Sequence, residues 1–189
     1  MIIYKDIITG DELLSETYDV TEIDGVIYEV ETKRVPESDN IEVNFGGNPS
    51  ENPDETDTGI ESGGGGQDDV KMVYELCKSF QLGEVEDERR KNVPITKGQF
   101  DEEFKRYVKK VKAALEKKGT DPAEVKVFTD GVKKHFKRIS KNIENCDTFT
   151  GSTDDLFEPS GMRVVVDYRD DGMTPYAIIW KHGLEEMKV

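Results

Sequence analysis

The sequence predicts an α+β fold: a mainly antiparallel β body, a long projecting α-helical hairpin and a disordered acidic loop. Three observations carry this reading. Short β-branched and aromatic runs bounded by Gly, Pro or Asp recur towards both ends of the chain, and two consecutive apolar stripes at helical spacing fill residues 96–145. Residues 37–69, by contrast, hold only four large apolar side chains, Ile41, Val43, Phe45 and Ile60. The body is therefore assigned to residues 1–36, 70–95 and 146–189, the loop to 37–69 and the hairpin to 96–145.

In chain order, Met1–Ile8 and Val26–Thr32 read as strands, and Val70–Leu82 as one or two more, because Val70, Met72, Tyr74 and Leu76 alternate with other residues. The intervening loop carries ten Asp/Glu, seven Gly and two Pro with no Lys or Arg. Fixing its backbone costs roughly 1–2 kcal/mol per residue, which four apolar side chains cannot offset. Thr96-Lys-Gly-Gln99 has the form of a capping box, after which Phe100, Phe104, Val108, Val111 and Leu115 fall on one helical face. Gly119 closes that helix, and Asp121-Pro122 opens a second with Val125, Phe128, Val132, Phe136, Ile139 and Ile143 on its apolar face. Met162–Tyr168 and Tyr176–Lys181 complete the strands, with Asp171-Gly172 as a tight turn between them.

Charge is segregated along this layout. The 189 residues contain 26 Lys+Arg and 41 Asp+Glu, a net charge of −15. Residues 97–145 hold 14 basic and 8 acidic groups, +6, so the remainder carries −21. Such a surface disfavours general nucleic-acid binding, whose affinity comes largely from phosphate contacts. No apolar run approaches the roughly 20 residues of a spanning helix and no signal-peptide pattern opens the chain, so a protein without a membrane span, soluble and intracellular, is expected. The basic residues Lys105, Arg106, Lys109, Lys110 and Lys112 on one helix and Lys133, Lys134, Lys137 and Arg138 on the other are candidate contacts for acidic protein surfaces. The alternative is a solvated face that balances the acidic body.

The sequence offers little for covalent chemistry, and the expectation is a non-enzyme. Cys77 and Cys146 are the only cysteines and His135 and His182 the only histidines, with no zinc-type spacing. Both cysteines read as small packed side chains, His135 as a polar-face residue and His182 as part of a turn. Asp11-Glu12, Asp68-Asp69, Asp154-Asp155 and Asp170-Asp171 could ligate calcium only weakly, since none has the spacing of a calcium loop. Asp167 with Asp171-Gly172 superficially suggests such a loop, yet Arg169 occupies a ligand position and Ile178 stands where the bidentate Glu belongs.

Met1-Ile-Ile-Tyr-Lys-Asp6 with Asp11-Glu12, Phe45-Gly-Gly-Asn-Pro-Ser50-Glu51, Gly161-Met162, Asp167-Tyr-Arg-Asp-Asp-Gly172, Thr174-Pro175 and Gly183-Leu184 closely resemble the translationally controlled tumour protein (TCTP) family. The motifs run from the first residue nearly to the last. The resemblance implies a β-tent body related to a nucleotide-free chaperone of Rab GTPases, and a cytoplasmic protein that binds calcium and tubulin and is linked to growth control and survival. It also implies a disputed exchange-factor role toward a small Ras-like GTPase, carried over to Glu12, and a kinase target at Ser50. No cofactor is expected beyond weak Ca²⁺. Two departures from the family pattern stand out: a longer connection over 82–94, and Ser152-Thr153 after Gly151 where an acidic residue is usual.

Overall fold

The computed structural model describes residues 1–38, 70–83, 95–155 and 158–189. Of the expected features, most of the acidic loop and most of the 82–94 connection lie outside the described residues. The first strands are β1 (Ile2–Asp6), β2 (Glu12–Ser15), β3 (Val20–Ile23), β4 (Ile27–Glu31), β5 (Arg34–Pro36) and β6 (Met72–Tyr74). Helices α1 (Glu75–Phe80), α2 (Lys97–Lys117) and α3 (Pro122–Asn142) follow, and then β7 (Asp147–Phe149), β8 (Val164–Tyr168), β9 (Pro175–Trp180) and β10 (Leu184–Lys188). The strands form a sheet of order β10-β1-β2, a second of order β3-β4-β9-β8-β7 and a ribbon of β5 and β6, with every pair antiparallel. The α+β class follows directly.

β9 explains where the core sits. All six of its residues, Pro-Tyr-Ala-Ile-Ile-Trp, are buried, as befits a central strand covered on both faces. Ile27 and Val30 of β4 and Val164, Val165 and Val166 of β8 continue this layer. β10 is the opposite case: a sheet edge whose Glu185, Glu186 and Lys188 are exposed, the charged blunting expected of an edge strand.

The hairpin forms as its local signals require. Thr96 Oγ1 accepts from the Gln99 amide at 3.3 Å while the Thr96 amide donates to Gln99 Oε1 at 3.1 Å, completing the capping box. Gly119, at φ +74°, ends α2 with its Thr120 neighbour donating to the Leu115 carbonyl at 3.0 Å. Asp121 then caps α3 by accepting from the Ala123 amide at 2.9 Å. Phe100, Phe104 and Phe136 stack between the two helices, and Phe104 meets Trp180 of β9 at a centroid distance of 4.9 Å. The hairpin is held to the body along its length, so what projects is its outer face.

Three expectations are corrected. Val70–Leu82 is only briefly a strand: after Tyr74 it turns into α1, because neighbouring Leu76 and Cys77 are both buried, which a strand's alternation does not allow. His135 is buried, not on a polar face, because α3 presses onto the body at Gly131, where an added Cβ would collide with the Val26 side chain. The turn between β8 and β9 is also wider than two residues. The Arg169 amide bonds the Thr174 carbonyl, and Asp171 accepts from the amides of Met173 and Thr174 and from the Thr174 hydroxyl.

Candidate functional site

The cations of the hairpin divide by what lies opposite them. Those facing the body are tethers. Lys110 Nζ donates to the Ser160 carbonyl at 3.2 Å, Lys134 pairs with Asp24 at 2.7 Å, and Arg138 lies 3.7 Å from Glu29. At the tip, Lys118 pairs with Glu185 of β10 at 2.6 Å. The remaining candidates, Lys105, Arg106, Lys109, Lys112, Lys133 and Lys137, are exposed, and none has a carboxylate within ion-pair distance among the described residues. Lys105, Lys109 and Lys112 share one face of α2, and Lys133 and Lys137 one face of α3, by their three- and four-residue spacing.

Beneath the hairpin a buried ion pair joins α2 to the sheet. Arg163 Nε and Nη2 donate to the two oxygens of Glu103 at 2.8 and 3.1 Å, with side-chain exposures of only 6% and 12%. The two histidines complete the fastening in opposite senses. His135 of α3 meets Asp24 of the body at 2.8 Å, and His182 of the body meets Glu124 of α3 at 3.2 Å. Hydrogen bonds from Lys134 and then His135 hold the Asp24 carboxyl below its ordinary pKa.

Glu12 opens β2 as a half-exposed carboxylate 3.5 Å from Lys5. Its neighbour Asp11 behaves differently, being buried and accepting from the Ser152 hydroxyl, the Thr153 amide and the Thr153 hydroxyl at 3.2, 3.1 and 2.8 Å. Ser152 and Thr153 thus supply the donors that hold a buried aspartate. Asp6 nearby accepts from the Ile8 and Met162 amides. Burial raises its pKa against those two bonds, with Asp154 and Asp11 adding to the rise. Ser50 lies outside the described residues.

These aspartates fit a calcium ion poorly. In each described pair one member is already engaged: Asp11 as above, Asp154 with the amides of Asp155, Ser160 and Gly161, and Asp171 with its own turn. Among the described residues no group of three or more His, Cys, Asp or Glu is arranged to hold a metal. Asp68-Asp69 and nearly all of the acidic loop lie outside the described residues. Arg169, placed at a ligand position of the apparent calcium loop, instead stacks 3.9 Å over Tyr176 and donates to Glu29 at 2.5 Å.

Neither cysteine offers a nucleophile. Cys77 is buried, and Cys146 is half-buried with its thiol pushed up to about 12 by burial and the nearby Asp167 carboxylate. The two are not joined in a disulfide, and no helix among the described residues is long and apolar enough to cross a membrane.

Sequence signals for the hairpin cations were strong, whereas the tethering carboxylates Asp24, Glu29, Glu124 and Glu185 carried none, because each lies far along the chain from its partner. Comparison with known proteins agrees with the layout. A family profile described as translationally controlled tumour protein matches residues 1–185. Translationally controlled tumour protein homologues of Aspergillus fumigatus and Alternaria alternata are 40% and 37% identical to it, each over the whole of both chains. Among solved structures, the translationally controlled tumour-associated protein of Schizosaccharomyces pombe superposes with a TM-score of 0.69 at 33% identity and full coverage of both chains. That of Caenorhabditis elegans gives 0.64 at 25% identity, covering 100% of this chain and 99% of its own. Matched from end to end in sequence and in fold, the chain belongs to the translationally controlled tumour protein family.

Proposed function

We propose that this protein is a cytoplasmic, non-catalytic binding protein that docks acidic protein surfaces, such as the acidic tails of tubulin, through the outer face of its hairpin. The observation that carries the reading is the division of the cations: Lys105, Arg106, Lys109, Lys112, Lys133 and Lys137 are exposed without carboxylate partners among the described residues, on a hairpin whose α2 is clamped by the Arg163–Glu103 pair and the Phe104–Trp180 contact and whose α3 is held by the His135–Asp24 contact. A rigid row of positive charge on a molecule of net charge −15 steers acidic partners to one face and speeds encounter. Roles in growth control and survival then follow from partner choice. Lys110, Lys134 and Arg138 serve the body in this reading and are not docking residues. Reversing Lys105, Lys109, Lys112, Lys133 and Lys137 to Glu is expected to abolish co-sedimentation with microtubules with unchanged circular dichroism; undiminished pelleting rejects the reading. A phosphate on Ser50 adds about −1.5 to −2 charges and weakens the same docking.

A second reading assigns Glu12 to regulation of a small Ras- or Rab-type GTPase. Glu12 is a half-exposed carboxylate on a fixed base, since its neighbour Asp11 is held by three hydrogen bonds to Ser152 and Thr153. There it can pair with a switch-loop cation or disturb the nucleotide-bound Mg²⁺. Nucleotide release from a purified GTPase is expected to quicken with this protein and not with Glu12→Val. Weak Ca²⁺ buffering, in turn, is proposed for the acidic segment 37–69, and calorimetric heat that persists after its deletion rejects that placement.

A further inference from the structure

Where the tip of the hairpin overhangs the two sheets, an open cleft of about 210 Å³ is lined by Tyr4, Tyr28, Glu124, Lys181, His182 and Glu186 among others. It is smaller than the roughly 300–1,000 Å³ of pockets for drug-sized ligands, and suits a single side chain. Its floor is two tyrosines meeting edge to face, with centroids 6.2 Å apart and rings at 71°. Each has a glutamate as its direct cross-strand partner: Glu22 of β3 opposite Tyr28, and Glu186 of β10 opposite Tyr4.

The first of these pairs already holds a cation. Lys181 Nζ sits 6.0 Å from the Tyr28 centroid and 3.1 Å from both oxygens of Glu22. The second pair repeats the ring and the carboxylate without the ammonium, and among the described residues no cation lies within ion-pair distance of Glu186. Lys181 is committed to Glu22, so the charge facing the rest of the cleft is negative. Tyr4 registers this: its phenol pKa is raised, by burial first and then by Glu186 and Glu16. On the far wall Glu124 is positioned by His182 Nε2 at 3.2 Å, and the buried Nδ1 of the same imidazole has no hydrogen-bond partner among the described residues.

We propose that this cleft receives one basic side chain of a partner protein, its ammonium or guanidinium resting over Tyr4 with Glu186 as counter-ion. The site is independent of the cationic outer face of the hairpin and opposite to it in charge, so the molecule carries two docking chemistries. The probes are N-acetyl-arginine methylamide and N-acetyl-lysine methylamide, titrated into the full chain while the side-chain resonances of Tyr4, Tyr28 and His182 are followed. Saturable shifts at these residues are expected with either probe, and none with the neutral N-acetyl-citrulline methylamide. Glu186→Gln, an exposed edge-strand change, and Tyr4→Leu are each expected to weaken binding about fivefold. Reversing the outer hairpin lysines leaves the shifts intact, which separates this site from the hairpin face. Equal shifts with the citrulline amide, no shift at Tyr4 and Tyr28 with either basic amide, or unchanged affinity in Glu186→Gln overturns the proposal.

Discussion

The inner and outer faces of the hairpin use the same residue types to opposite ends. On the inner face Lys110, Lys134 and Arg138 find a carbonyl or carboxylate of the body and fasten two helices to a sheet. Outward, Lys105, Lys109, Lys112, Lys133 and Lys137, on the same two helices, meet no carboxylate among the described residues. A lysine's role here is set by what stands opposite it. Lys109 and Lys110 are consecutive, yet a rotation of about 100° along the helix separates a cation with no carboxylate opposite it among the described residues from a tether.

The largest test of this contrast is to break the inner fastening at its most buried point. Glu103→Ala strands the Arg163 guanidinium, whose side chain is only 6% exposed, without its carboxylate. A loss of roughly 3–5 kcal/mol in urea unfolding is expected, the range for removing one partner of a buried pair. A smaller effect belongs to Asp24. Lys134 and His135 hold its carboxyl below the ordinary value of 3.8, so the stability it contributes is present above that pH and is lost as pH falls further, through its native pKa. Asp24→Asn should therefore melt below the wild type at neutral pH and converge with it in strong acid, as read from Tm against pH; parallel curves would falsify the tether. Smallest of all is the outer face, where Lys109→Ala should shift unfolding by no more than about 0.5 kcal/mol. A larger change there means that Lys109 has a structural partner and weakens its claim as a docking residue.

The hairpin was legible in the sequence because its signals are local. Thr96-to-Gln99 capping, the Gly119 stop, the Asp121-Pro122 start and the apolar spacing each act within one or two turns of a helix. The body was less so. β2, β3 and β7 are only three or four residues long, too short for alternation to register, and β10 carries three charged residues because it is an edge. Tyr107 was missed from the buried stripe of α2, and Gly131 and His135 from that of α3. Helical spacing locates a face to within a residue or so, and only the surface it lands on decides the margin. Val26 selects Gly131, and Asp24 engages His135 from a position 111 residues away in the chain.

The same division holds for the sites. Composition and short-range spacing were enough for the α+β class, the two helices with their caps and the concentration of positive charge on residues 97–145 of an acidic chain, while the family came from motifs spread along the whole chain. Only chain closure settled which of those cations meet a partner among the described residues, that Ser152 and Thr153 serve Asp11, and that Tyr4, Tyr28, Glu186 and His182 line one cleft. The physical reason is range. Capping and helix periodicity are settled between neighbours, whereas an ion pair, a cross-strand register or a cleft forms only after closure brings distant segments together, as when Tyr4 of the first strand comes to lie beside Glu186 of the last.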